Sequence, residues 1–310
     1  MTTEPARRRP HAPRVSASRR GRTAARPAAA ATSGWRDAVR RASRNRLSVA
    51  GTIILCTLVL AVTFGPLLWT IDPVAQDLAL RLRGMSWQHP LGTDTLGRDV
   101  LSRLLNGGRV SLSLAVVAVC TSSLVGGAIG LLSGYLRGPV DAALMRAMEI
   151  ILSFPALVLA LAISAAAGSG VFSTFVAVGV PGLPLYARLV RSVVLSVRSR
   201  EYVLAARATG VPPSGILLRH VLPNSVTPLI VQATLGVGLA LQYIAALGYL
   251  GLGVQPPTPE WGAILSDAQT FLLQEPLVLV APGLVIALAI VSFNLVGDGL
   301  RDLLDPAGAQ

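Results

Sequence analysis

The chain has 310 residues, of which 52% are hydrophobic and only 14% charged, with a mean hydropathy of +0.61. A soluble domain of this length carries roughly a quarter charged residues, so the composition excludes an ordinary water-soluble globule and indicates a membrane protein. All 27 basic residues are arginine, which excludes a GxxxxGK[ST] nucleotide loop, because that loop needs its lysine on the phosphates.

Residues 1–46 hold 13 arginines against Glu4 and Asp37, a net +11, while the rest of the chain holds 14 arginines against 13 acids, a net +1. The basicity therefore belongs to a tail. Its first 34 residues are mostly Arg, Ala, Pro, Ser and Thr with almost nothing to bury, and are expected to be disordered. Arg19-Arg20 invites a twin-arginine signal reading. The apolar run that follows, 47–71, is too long for a signal h-region and is expected to be a first membrane helix.

A membrane span needs roughly 20 mostly apolar residues. Six segments meet or approach that length: 47–71, 110–133, 150–168, 172–194, 226–250 and 277–298. The third and fourth are separated only by Gly168-Ser169-Gly170, and Pro181, Gly182 and Pro184 interrupt the fourth, so a five-span count stays open. The chain then divides into an Arg-rich tail (1–46), a first helix (47–71), an external segment (72–109), a core (110–300) with a loop at 195–225, and a terminus (301–310). Arginine placement orients it. With the tail inside, 22 arginines lie on the cytoplasmic side and five outside: Arg81, Arg83, Arg98, Arg103 and Arg109. Both termini are expected to be cytoplasmic.

Several residues stand out along the way. Cys56 and Cys120 lie in apolar runs and read as small buried hydrophobes rather than a disulfide. His89, Asp94, Arg98 and Asp99 fit no metal-ligand spacing and are expected to order the entry to the second span through Arg–Asp pairing. Gly126, Gly130 and Gly134 give one helix a side-chain-free stripe for close helix approach, expected inside this chain, with a dimer seam as the alternative. Glu149 begins the third span, solvated or paired with Arg146. Gln232, Gln242 and Asn294 either line a pathway or bridge helices. Trp261, at the end of the stiff outer loop 255–261, reads either as an interfacial anchor or as a contact for an external protein.

Between two long apolar segments runs LAARATGVPPSGILLRHVLPN, Leu204–Asn224. Ser199 is expected to cap a short helix, Glu201 to suit its positive first turn, and Gly210 to take the left-handed position past its end. Val211-Pro212-Pro213 stops that helix, Ser214 is placed to cap a second one through His220, and Pro223 to break it. The result is a helix-turn-helix on the cytoplasmic face. Ala205 and Ala206 leave its backbone open to a close approach.

This stretch resembles the cytoplasmic coupling loop of ABC-importer permeases. It matches at Ala205, Ala206, Gly210, His220, Leu222 and Pro223, and departs at Leu204, where that family's loop has a glutamate. HPLGTDTLGRDVLSRLLNGGRVSL (His89–Leu112), YLGLGVQPPTPEWG (Tyr249–Gly262) and NLVGDGLRDLLDP (Asn294–Pro306) resemble the dipeptide/oligopeptide/nickel branch, C-type subunit. The resemblance implies an all-α membrane protein of about six spans with the type I importer fold, a five-helix core plus an N-terminal helix. It implies a permease subunit for di- or oligopeptides in a bacterial plasma membrane, with nickel chelates or other small peptide-like solutes as the alternative. A second permease, two ATPases, an external binding protein and membrane lipid are the implied partners, without nucleic acid. The chain itself would bind no cofactor and would be no enzyme; ATP and Mg would sit on the ATPases. Glu201, Ala205, Ala206, Gly210, His220 and Pro223 would contact an ATPase. Gln255, Pro257, Glu260 and Trp261 would face the binding protein.

Two rival readings are weaker. A membrane enzyme would need a GxSG serine with a histidine, paired intramembrane aspartates or HExxH, and the sequence has none of these. A nucleic-acid scaffold would rest on the tail alone, which lacks interleaved aromatics apart from Trp35.

Overall fold

The structure, a computed structural model, describes residues 45–304. The expectations for the tail up to residue 44 and for residues 305–310 lie outside the described residues. Asn45 opens the first helix, its side-chain oxygen accepting from the backbone N–H groups of Leu47 and Ser48. Helix α1 then runs Arg46–Leu68. Pro66 lies inside it and cannot donate to the carbonyl four residues back, that of Val62. Arg109 supplies the missing donor: its Nε reaches the Val62 carbonyl at 2.9 Å and its Nη2 the Thr63 carbonyl at 2.6 Å. An arginine counted with the outer segment thus joins two spans.

Helix α2 runs Val100–Leu136 and starts ten residues before the expected position. The cause is Asp99, which caps it by accepting from the Ser102 N–H at 2.6 Å and also holds the Trp69 indole N–H at 2.9 Å. The third span is corrected more deeply. The residues between the second and third expected spans, with the start of the third, form α3, Gly138–Leu152, followed by α4, Ala156–Ala167, and the two are bent by 88°. Pro155 has no N–H and pushes Phe154 out of helical geometry, so the break falls between them. Among the described residues five helices are long and apolar enough to cross a membrane, six if the bent pair is one span. Among the described residues there is no strand, only a single bridge between Thr93 and Asp99.

Gly168 and Gly170, at φ of +83° and +146°, turn the chain into α5, Val171–Arg198, which carries Pro181 and Pro184 without breaking. After it come a short helix, α6 (Glu201–Ala208), and a long one, α7 (Pro213–Tyr249). Pro223 does not break α7. The turn before it, Leu217–Val221, widens to π-helical hydrogen bonding, a local change that lets a helix absorb an irregular residue and continue. Helix α8 (Trp261–Ala268) and helix α9 (Pro276–Leu304) complete the described chain.

The glycine stripe of α2 faces α5. A Cβ at Gly126 would stand 2.5 Å from the Leu183 carbonyl oxygen, one at Gly130 would strike the Ala187 carbonyl, and one at Gly134 would lie 2.9 Å from Val194 Cβ. Close packing without a hydrophobic gradient depends on such small residues. The main core gathers Leu241, Ile244, Leu247, Trp261 and Ile264 at one end of the bundle, and a second core forms around Val194, Val197, Val203 and Ile216 at the other. Cys56 and Cys120 are free but exposed, contrary to the burial expected of them; their helix faces turn away from the chain's own core.

Candidate functional site

Helix α6 is pinned from behind. Val203 is fully buried and packs with Val190, Val194, Val197, Ile216 and Val221 from α5 and α7. Glu201 lies in its first turn, where a carboxylate favours the positive helix end. Its C-terminus closes with two tight bonds: the Gly210 N–H reaches the Arg207 carbonyl at 3.0 Å and the Val211 N–H the Ala206 carbonyl at 3.1 Å. That pairing is a Schellman ending, and it requires the positive φ of Gly210, +81°. Among the described residues nothing occupies the space a Gly210 side chain would take.

Two capping expectations are corrected. Ser199 does not cap α6, because its Oγ bonds back to the Ser196 carbonyl at 2.8 Å and Arg200 takes the cap position. Ser214 lies inside its helix, which begins at Pro213 with no side-chain cap. Of the six residues singled out, Glu201, Ala205 and Gly210 are exposed on one short element and Ala206 is half-buried beside them. His220 joins them through Tyr202, the two rings 5.7 Å apart. Pro223, exposed, stands beyond the π-helical turn. Tyr202, Leu204 and Leu218 add an exposed apolar rim, at 43%, 50% and 61% exposure; of these three the sequence marked only Leu204, as the departure from the family's glutamate. Arginine anchors hold the loop's base. Arg191 grips Asp141 with two bonds of 2.7 Å, and the Arg198 guanidinium bonds the Gly134 and Tyr135 carbonyls while lying 5.2 Å from the Tyr135 ring centre.

At the opposite end of the bundle, His89, Asp94, Arg98 and Asp99 do come together as a brace. Asp94 holds Arg98 Nε at 2.6 Å and Arg103 Nη1 at 3.4 Å, and Asp267 of α8 holds both guanidinium groups at 3.1 and 3.3 Å. His89 Nδ1 lies 2.8 Å from Asp99. Among the described residues no group of His, Cys, Asp or Glu is arranged to hold a metal. Arg146 and Glu149 pair at 3.2 Å in an exposed position, one of the two roles expected of Glu149.

The four residues expected to face a binding protein divide into two pairs. Gln255 and Pro257 are exposed. Glu260 and Trp261 are not: their exposures are 0% and 1%. Glu260 caps α8, accepting from the Gly262 and Ala263 N–H groups at 2.9 Å each and from Ser111 Oγ at 2.9 Å. Burial pushes its carboxyl pKa up against these donors, which pull it down. Trp261 donates to the Leu104 carbonyl at 2.9 Å and fills the space beside Gly108. It is therefore a core residue and neither an interfacial anchor nor a docking contact. The signal was a capping carboxylate directly before an apolar run.

Residues 126–308 match the family model for the binding-protein-dependent transport system inner membrane component, and residues 33–86 match the N-terminal TM domain of oligopeptide transport permease C. Three curated relatives are similar over most of their length. The dipeptide transport system permease protein of Alkalihalophilus pseudofirmus is 42% identical over 276 residues, 89% of this chain and 91% of the relative. A probable D,D-dipeptide transport system permease protein of Escherichia coli is 43% identical over 260 residues, 84% and 87%. A glutathione transport system permease protein of Pectobacterium atrosepticum is 39% identical over 273 residues, 88% and 91%.

Proposed function

The chain belongs to the binding-protein-dependent transport family of inner membrane components, and we propose that it is the C-type permease subunit of an ATP-driven importer of short peptides. Dipeptides, D,D-dipeptides and glutathione in the relatives' names share a short peptide backbone, and that is the substrate class taken here. In this reading the chain is a multi-pass bacterial membrane protein forming half of a pathway with a second permease. Two ATPases on the cytoplasmic side hold ATP and Mg, and an external binding protein delivers the solute.

The observation that carries the reading is helix α6: braced by the buried Val203, it leaves Ala205 exposed, Ala206 half-buried and, among the described residues, the space at Gly210 open. A partner that engages α6 differently with and without ATP biases the permease between states. Equal engagement in both states would couple nothing. A cysteine at Ala205 should crosslink to an ATPase subunit in membranes. Crosslinking to the external binding protein instead would overturn the assignment of this face.

Orientation follows from the arginine count and is tested separately. Tags at Met1 and Gln310 should stay inaccessible in intact cells, while a cysteine at Thr258, exposed in the loop before α8, should react with an impermeant thiol reagent. An accessible Gln310 together with a shielded Met1 would require an odd number of spans and would refute both termini being cytoplasmic.

A further inference from the structure

Near the middle of the bundle, α2, α4, α5 and α7 line a half-open pocket of about 180 Å³. Its wall includes Ser122, Ala156, Pro181, Tyr186, Gly236 and Tyr243. Tyr186 lies near the middle of α5, and Gly236 near the middle of Leu222–Tyr249, the part of α7 beyond the π-helical turn, so the pocket lies about midway along these two spans. Ser122 is satisfied: its Oγ donates towards the Ala118 and Gly179 carbonyls at 2.8 and 2.7 Å. Tyr186 is different. Its side chain is 98% buried, its hydroxyl stands over Gly236, where a Cβ would collide with it, and it enters no hydrogen bond among the described residues.

A hydroxyl that faces an otherwise apolar pocket and has no protein partner is open to an acceptor that enters the pocket, and a lipid tail has no acceptor to offer it. The geometry points to a subsite for one residue of the transported peptide: the Tyr186 hydroxyl donates to a peptide carbonyl, and the apolar wall around Leu239 and Pro181 receives the side chain. Peptide amides would replace water hydrogen bonds there, as in other pockets with a few placed polar groups in an apolar lining. This inference rests on the short-peptide reading above and adds a residue that sets which peptides pass.

The test is uptake of labelled glycyl-glycine and leucyl-leucine by the complete complex in proteoliposomes, with ATPase content measured alongside. Leu239, 44% exposed on the pocket rim, tolerates a larger side chain without disturbing the core. Leu239→Trp should lower leucyl-leucine uptake about tenfold, the scale of discrimination a changed apolar pocket gives, and glycyl-glycine uptake less than about twofold. Tyr186→Phe, which keeps the ring, should lower uptake of both about fivefold, because the lost hydrogen bond is to the backbone they share. A photoreactive phenylalanine at Leu239 should capture labelled peptide during turnover. Equal effects of Leu239→Trp on both peptides, normal uptake by Tyr186→Phe, or capture of lipid or the other permease alone would each overturn the subsite. A wild-type complex that moves neither dipeptide would instead reject the substrate reading, and the subsite with it.

Discussion

Gly210→Val should abolish uptake while leaving the protein in the membrane. At φ +81° a residue with a Cβ pays about 1–2 kcal/mol in the left-handed region, and a β-branched one is a worse fit still. None of the described residues obstructs the new side chain, since none lies beside Gly210. The strain therefore falls on the Schellman ending, and its release tilts or frays α6 away from the Val203 core. Both sites lie outside the spans, so insertion and pairing with the other permease should survive. Ala206→Arg acts on the same surface by another route, placing a long charged side chain where a half-buried methyl group stood. Each change should cut uptake by more than about tenfold, the factor that roughly 1.4 kcal/mol of interface energy carries. ATPase subunits should co-purify poorly, or their hydrolysis should no longer respond to loaded binding protein. Normal uptake by both variants in a complex with full ATPase content would reduce α6 to a connecting loop.

Much of this was legible in the sequence, for physical reasons. Lipid demands long apolar runs, so α1, α2, α5, α7 and α9 announce themselves, and Gly210 marks a positive φ because little else tolerates one. What misled was punctuation. Pro155 broke a span that hydropathy joined, because averaging over a window blurs a single residue. Pro223, a stronger stop signal on paper, was absorbed by the π-helical turn before it, a device that no local propensity reveals. Glu260 and Trp261 looked like surface groups because one is charged and the other aromatic. Their burial depends on Ser111 and Leu104, about 150 residues away in the chain. The short helices at both ends were also harder to place than the spans, since their caps compete: Ser199 bonds back into α5 when an outward bond would have capped α6.

Gly130→Ala should leave little assembled permease, and Gly127→Ala should be almost silent. The two glycines stand three residues apart on α2 but face different neighbours. A Cβ at Gly130 would collide with the carbonyl oxygen of Ala187 and lie 3.0 Å from the Arg191 backbone N. Both are backbone atoms inside α5 and cannot rotate away, so the methyl must push two helices apart. Overpacking of this kind costs about 1–3 kcal/mol where side chains can yield, and more where they cannot. The separation would propagate, because α5 carries Arg191 and Arg198, the residues that tie it to Asp141 and to the end of α2. A Cβ at Gly127 instead meets Leu229 Cδ2 at 3.4 Å and Val190 Cγ2 at 3.7 Å, ordinary contacts with side-chain ends that can shift. Thermal melting of the purified complex in detergent, with the amount of folded protein recovered, separates the two cases. If Gly130→Ala melts with the wild type while Gly127→Ala does not, the α2–α5 seam lies on the other face of the stripe.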